Sequence, residues 1–333
     1  MIALLLSILL LMTSCPASCY DIERVETPSI YTLPVLEDLV LIENSRISLS
    51  FDRPVEILEM KLEDESMEAS SIESRLFNIR LPHEIPYGRE YRLRFTCRDR
   101  RSGNLSRISV PIMGINTSQA KVLMTEVSVK GTDTSPDRVE LAVLEGGTTG
   151  SLTITDGILG VCSFSYTLPD VRVSKGDVIV VHMSAPHKGE DIIRIGNRRI
   201  FNIDAPGKLS FLSTNGAVLL YSHTNGNGKL IDALLYRKED TVSSDGWGNE
   251  KTRRTASSLY ERGEWKGKGF TSDGNTSTRV FARYYPYQDT NSSRDWYLTA
   301  TRGSTFGFAN DNNEYIVPDK EDEDEDDNAG KEE

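Results

Sequence analysis

Cysteine is scarce in this sequence, four in 333 residues, and histidine is equally scarce. Cys15 and Cys19 sit near the N-terminus while Cys97 and Cys162 stand far apart, so no dense disulfide framework of the small-secreted-domain kind is laid out. A Cys97–Cys162 bridge would have to join two different predicted domains, and two separate buried thiols acting as small apolar side chains are expected instead. No Cys/His cluster has zinc-finger spacing. Also missing are a G-x-S-x-G elbow, a G-x-x-x-x-G-K-[ST] loop and an H-E-x-x-H helix, which removes the sequence signatures of the common hydrolase, nucleotide-binding and zinc-protease sites. Of His83, His182, His187 and His223, only His182 and His187 are close in sequence. They lie on opposite faces if their strand continues, and only loop folding brings them together. Carboxylates are abundant, but abundance does not pair an acid with a base. Catalytic residues, cofactor and resident metal are all expected to be none.

Long apolar runs are missing too. The first fifteen residues, MIALLLSILLLMTSC, fall short of the ~20 residues a membrane-spanning helix needs. Small residues precede a cysteine there, so the run reads as a processed export signal, residues 1–14. Met12-Thr-Ser-Cys15 resembles a bacterial lipobox, which implies cleavage before Cys15 and a lipid on its thiol; the alternative is an ordinary cleaved signal, since small residues also precede Cys19. No Lys or Arg precedes the apolar run, which points to a truncated or misplaced start.

What the sequence has in quantity is short β-forming runs between turn residues. From 45 to 116 these are RISLSFDRPVEILEMKLED, RLFNIRLP, EYRLRFTCRD and RISVPIM. In Tyr91–Thr96 the alternation places Tyr91, Leu93 and Phe95 on one face and Arg92, Arg94 and Thr96 on the other, the pattern of a half-buried antiparallel strand. Pro86-Tyr-Gly88 supplies the turn before it. The stretch resembles bacterial immunoglobulin-like or fibronectin-type-III-like modules. Residues 15–44 are expected to be a linker, or else to contribute the first strand through VLEDLVLIEN. The joint to the second domain is expected at Ile115–Gln119.

A second train of strand signals covers 120–310, among them 122–129, 138–147, 150–157, 176–183, 208–236 and 257–262. Its steps are Glu126-Val, Val139-Glu-Leu, Gly150 to Asp156, the hairpin from Val218 through Gly228 and Asp232 to Tyr236, Gly246-Trp247, Ser258 to Arg262, Asp295-Trp296 and Thr305 to Asn310. In that order they resemble the lamin-tail domain, an immunoglobulin-like sandwich, with Phe306 where that family usually has proline and a long loop at 240–254. The resemblance implies a fold and a binding role without a chemistry. The fold class expected for the whole chain is all-β: two immunoglobulin-like β-sandwiches behind a lipoprotein signal.

Inside the second train Trp247, Trp265, Tyr284, Tyr285 and Tyr287 form the candidate ligand-binding set, because aromatic faces stack on sugars and on single-stranded bases. Arg279 and Arg283 flank the tyrosines. Core packing is the competing explanation for each ring. Asp289, Asn291, Ser293 and Asp295 place oxygens at alternate positions as a calcium loop does, yet without the central glycine and distal glutamate; a simple turn is the alternative.

Net charge is −12, and the run from Asp319 to Glu333 carries most of it. Residues 311–333 are therefore expected to be a self-repelling disordered tail. Double-stranded nucleic acid is not expected as a partner, since its affinity rests on Lys and Arg neutralising phosphates. These readings converge on a non-catalytic cell-envelope lipoprotein, held to the membrane by lipid at Cys15, whose sandwich loops and edges bind or adhere to a protein or polysaccharide partner. The alternatives are an accessory module for polysaccharide or single-stranded nucleic acid, and an envelope hydrolase dependent on calcium at Asp289–Asp295.

Overall fold

The computed structural model describes residues 21–24, 33–68, 74–132, 134–224 and 228–316. The export signal with Cys15 and the acidic run from Asp319 lie outside the described residues. The architecture is all-β with several sheets, gathered around two large hydrophobic clusters. Among the described residues no helix is long and apolar enough to cross a membrane.

The first body comprises β1 (Asp21–Arg24), β2 (Leu36–Glu43), β3 (Arg46–Leu62), β4 (Glu65–Met67), β5 (Ser74–Arg80), β6 (Glu90–Arg98) and β7 (Leu105–Met113). Leu36–Glu43 is thus a strand paired with β3, the second of the two readings given to 15–44. The seventeen-residue β3 is shared between two layers. Its first half pairs with β2 and β5, its second with β4 and β6. The ladder breaks between Ser50 and Val55, where Pro54 has no N–H to give. Asp52 secures the break by accepting from Val35 N at 2.9 Å and from the Arg53 guanidinium. The two layers close on Phe51, whose ring meets Phe77 and Phe95 edge-on, both at 5.9 Å. In β6 the residues that alternate in sequence alternate in space, with Tyr91, Leu93 and Phe95 buried.

The second body runs through β8 (Lys121–Ser128), β9 (Arg138–Glu145), β10 (Gly147–Thr148), β11 (Thr153–Thr155), β12 (Ser165–Thr167), β13 (Arg172–Val173) and β14 (Val178–His182). It continues with β15 (Ile192–Ile195), β16 (Arg198–Asp204), β17 (Gly216–Tyr221), β18 (Leu230–Arg237), β19 (Phe270–Thr271), β20 (Phe281–Arg283) and β21 (Trp296–Leu298). One sheet has the order β12-β11-β17-β18-β19, the other β15-β16-β14-β9-β8-β20-β21. Their inner faces supply the larger hydrophobic cluster. The expected 218–236 hairpin is present as antiparallel β17 and β18.

Residues 257–262, expected as a strand, instead end a helix, Glu250–Glu261. Asn249 caps it by accepting from Thr252 N, and Thr252, Thr255, Ala256 and Leu259 form its buried face at helical spacing. A stretch as short as 257–262 is too brief to reveal that period.

Between the bodies, the Asn116 amide donates to Thr148 Oγ1 and to Gly150 O at 2.9 and 2.8 Å. The Tyr87 ring sits against Gly150 so closely that a Cβ there would lie 2.4 Å from the Tyr87 hydroxyl.

Candidate ligand-binding cleft

Where β20 ends, the chain leaves the sheet through Tyr284–Asp295 and returns as β21. That excursion needs anchoring, and Arg283 provides it from below. Its side chain is fully buried; Nη2 donates to Asp232 at 2.7 Å, Nε to Met124 O at 2.8 Å and Nη1 to Gln288 O at 2.9 Å. The guanidinium also lies 4.6 Å over the Trp296 ring. A charge without solvent must be paired and hydrogen-bonded, and here each edge of the fork has a partner. Arg283 is therefore an internal strut. Arg279 is likewise occupied, stacked 3.9 Å over Tyr315.

The loop with alternate oxygens closes on itself. Asp295 accepts from Thr290 N at 2.9 Å, Thr290 Oγ1 at 2.6 Å and Ser292 N at 3.3 Å, while Asp289 accepts from Asn291 N. Ser292 and Asp295 complete a capping box around a short 3-10 turn, Ser293–Asp295. This is turn chemistry. Among the described residues no three or more His, Cys, Asp or Glu side chains are grouped to hold a metal ion.

Above this floor opens a cleft of about 950 Å³. One wall is the Trp265–Gly269 turn, where Gly267 at φ 73° reverses the chain so that Lys266 and Lys268 flank it. Lys266 N donates to Asn291 O at 2.7 Å, which holds the turn beside the 3-10 segment and Arg294. The other wall is Tyr284, Tyr285, Pro286 and Gln288.

The candidate aromatics separate by burial. Trp265 is 2% exposed and donates Nε1–H to Lys268 O, and Trp247 is 8% exposed, so both belong to the hydrophobic core. Neither offers a face to a ligand, which corrects their place in the candidate set. Tyr284 is half-buried on Tyr297, centroids 4.8 Å apart, and donates to Glu314 at 2.6 Å. Tyr287 accepts from Asn310 N and stands edge-on to Tyr285. Tyr285 is 53% exposed, the one ring of the five that solvent reaches freely. Lys266, Lys268 and Arg294 carry no functional signal in the sequence. They lie in two segments that only the tertiary fold brings together.

Beneath the same sheet, Glu126 and Glu140 face each other across β8 and β9. Glu126 accepts from Thr305 N and Oγ1, and Glu140 from Gly307 N and Thr125 Oγ1. The Asn310 amide donates to Thr125 O and Arg283 O. The strap Thr305–Asn310 is thereby tied to the sheet. Burial raises both carboxyl pKa values, and the neighbouring carboxylate raises that of Glu126 further. Residues 311–316, expected in the disordered tail, continue the strap: Ala300 N donates to Asn313 O and Tyr315 N to Leu298 O.

The remaining expectations concern histidines and thiols. His182 ends β14, and the loop beyond it folds back, bringing His187 to 5.3 Å between ring centroids. His182 contacts Asn202, and His187 lies between Asp191 and Asp204. Cys97 and Cys162 are free thiols.

Comparison with known proteins adds three findings. No curated protein matches the chain. Among solved structures, the crystal structure of a DUF4876 family protein from Bacteroides thetaiotaomicron VPI-5482 is similar over 77% of this chain and 92% of that one, at 10% identity and a TM-score of 0.33. A family model named TP_1001_2nd, "protein second domain", matches residues 120–194 and 202–298, more than half of the chain. The chain belongs to the TP_1001_2nd family, whose match begins at Ala120, immediately before the first strand of the second body.

Proposed function

We propose that this is a non-catalytic protein of the bacterial cell envelope, carried to the membrane by an export signal at 1–14 and held there by lipid on Cys15. In this reading the two bodies are immunoglobulin-like sandwiches, the second of the lamin-tail kind. Their task is to hold loops and an edge strand against a protein partner.

The observation that carries the reading is β15. It closes one edge of its sheet, pairs among the described residues only with β16, and exposes Ile192, Ile193 and Ile195 at 43, 39 and 41%. Proteins that stay apart from their neighbours guard such edges with charge, proline or a bulge, and here Arg194 is the lone charge in the strand. An edge left this apolar suits a partner that adds a strand.

The test uses protein from native membranes. Its mass is expected to show acyl chains on a chain beginning at Cys15, with Cys15→Ala moving to the aqueous phase on detergent partitioning. A photo-crosslinker at position 193 is expected to give one discrete adduct, and one at exposed Leu144 none. An unacylated chain, or equal crosslinking at both positions, would sink the proposal.

A further inference from the structure

We infer that the cleft between Lys266–Lys268 and Tyr284–Gln288 binds an anionic polysaccharide. Lys266, Lys268 and Arg294 would hold its acidic groups, and one sugar ring would stack on Tyr285.

Three observations meet here. First, the charge is local and uncommitted. Lys266, Lys268 and Arg294 are exposed, line one cleft and make no ion pair among the described residues, on a chain whose net charge is −12. Some surface cations of the second body are paired, Lys121 with Glu145, Lys238 with Asp240 and Arg253 with Glu250; what marks Lys266, Lys268 and Arg294 is that all three line one cleft. The one acidic residue lining the cleft, Asp295, is buried and already accepts from its own loop. The adjoining hollow shares Lys268 and Arg294 and adds Arg237 and Glu239, whose opposite charges leave its lining net basic through the same two shared cations. Such a patch concentrates anions against the field of the whole protein.

Second, the neutral groups suit hydroxyl-rich ligands. The Gln288 amide and the Ser293 hydroxyl stand at the cleft without a partner among the described residues, alongside Thr290 and Ser292. An amide offers donor and acceptor together, as vicinal sugar hydroxyls require. Tyr285 adds an exposed ring whose apolar face and polar tip match the two characters of a pyranose.

Third, the groups are held in place. The lysine turn is pinned to Asn291 O, Trp265 is locked in the core beneath it, and Arg283 fixes the opposite wall through Gln288 O. A positioned site loses less freedom on binding than a mobile one.

Single-stranded nucleic acid fits less well. It needs a basic groove tracking the backbone and a series of stacking platforms. The cleft has one open ring, because Trp247 and Trp265 are buried.

The test is titration calorimetry of the whole chain with oligogalacturonate, a sulfated oligosaccharide, a neutral glucan and oligo-dT. The two anionic glycans distinguish carboxylate from sulfate. Saturable binding to at least one of them is expected, with no binding of the neutral glucan. Combined Lys266→Glu, Lys268→Glu and Arg294→Glu should weaken that binding by about tenfold or more, and Tyr285→Ala by a smaller factor. All four positions are exposed, so the variants should keep the wild-type circular dichroism. Ile193→Lys, on the edge strand, should bind glycan as wild type does, which separates this site from the proposed protein-binding edge. Failure of both anionic glycans to bind, indifference to the triple charge reversal, dependence on Ile193, or tighter binding of oligo-dT would overturn the inference.

Discussion

The two bodies solve the same packing problem with different materials. In the first, the centre is hydrocarbon: Phe51, Ile47, Leu49, Ile57, Met60 and Leu62 are essentially without exposure. Its buried acids, Glu56 and Asp99, retain some exposure, and Arg98 and Arg100 reach Glu56 from solvent. In the second body Arg283, Glu126 and Glu140 are at 0 to 1% exposure, and Asp232 is at 2%. These buried ionisable groups tie down particular segments: Arg283 the cleft wall, the two glutamates the strap Thr305–Asn310. Buried ion pairs are weak evidence for stability, but breaking one is costly. The difference shows which parts of each body must be positioned and which need only be filled. In the first body apolar filling suffices, whereas the second holds specific loops at specific places.

That contrast can be broken most decisively at Asp232. Asp232→Ala leaves the Arg283 guanidinium buried without its 2.7 Å partner and should cost about 3–5 kcal/mol, read by urea unfolding. Tyr284 and Tyr285 fluorescence should change in the same variant, because the cleft wall loses its anchor. A loss below about 1 kcal/mol, within the range of exposed pairs, would mean the pair is not acting as a strut.

A second, smaller effect is pH-dependent. Glu126 is pushed up to about 8 by burial and by Glu140, above the ordinary 4.5. The native state then binds protons that the unfolded chain has released, so its contribution to stability is fully present below pH 4.5 and is lost as pH rises through about 8. Stability should fall between about pH 5 and 9, and Glu126→Gln should flatten the slope. Unchanged pH dependence in that variant would show that the glutamate is ionised throughout.

The smallest effect is expected in the first body. Leu49→Met, nearly volume-conserving in an all-apolar surrounding, should cost less than about 1.5 kcal/mol by thermal unfolding. A cost matching that of Asp232→Ala would erase the distinction between the bodies.

Legibility in the sequence follows the same division. Tyr91, Leu93 and Phe95 announce their strand because one face is buried and the other wet, which writes a period of two. The helix Glu250–Glu261 stays hidden because two of its four buried residues are threonines, which read as strand formers. Trp265 suggests a ligand platform because sequence reports an aromatic ring and not its burial. The cleft is the least visible feature. Lys266 and Arg294 are distant along the chain, and what joins them is a bridge between Lys266 and Ser292 that no local pattern encodes. Glu126, Glu140 and Asn310 stand in the sequence as steps of a resemblance, while their common purpose in holding the strap emerges only when the strands are paired.

The seat of Tyr87 on Gly150 has a mechanical meaning. Were the chain tethered at its N-terminus and engaged at its far side, as proposed above, it would work as a lever, and a lever is only as good as its transmission of torque. Here the crossing point is an aromatic plate resting on bare backbone, with the Asn116 amide clasping the same Gly150 carbonyl. Neither swivels as a long surface side chain would. A tug on the second body would pass to the first through this seat, and a single methyl group at position 150 would collide with the Tyr87 ring and unseat it.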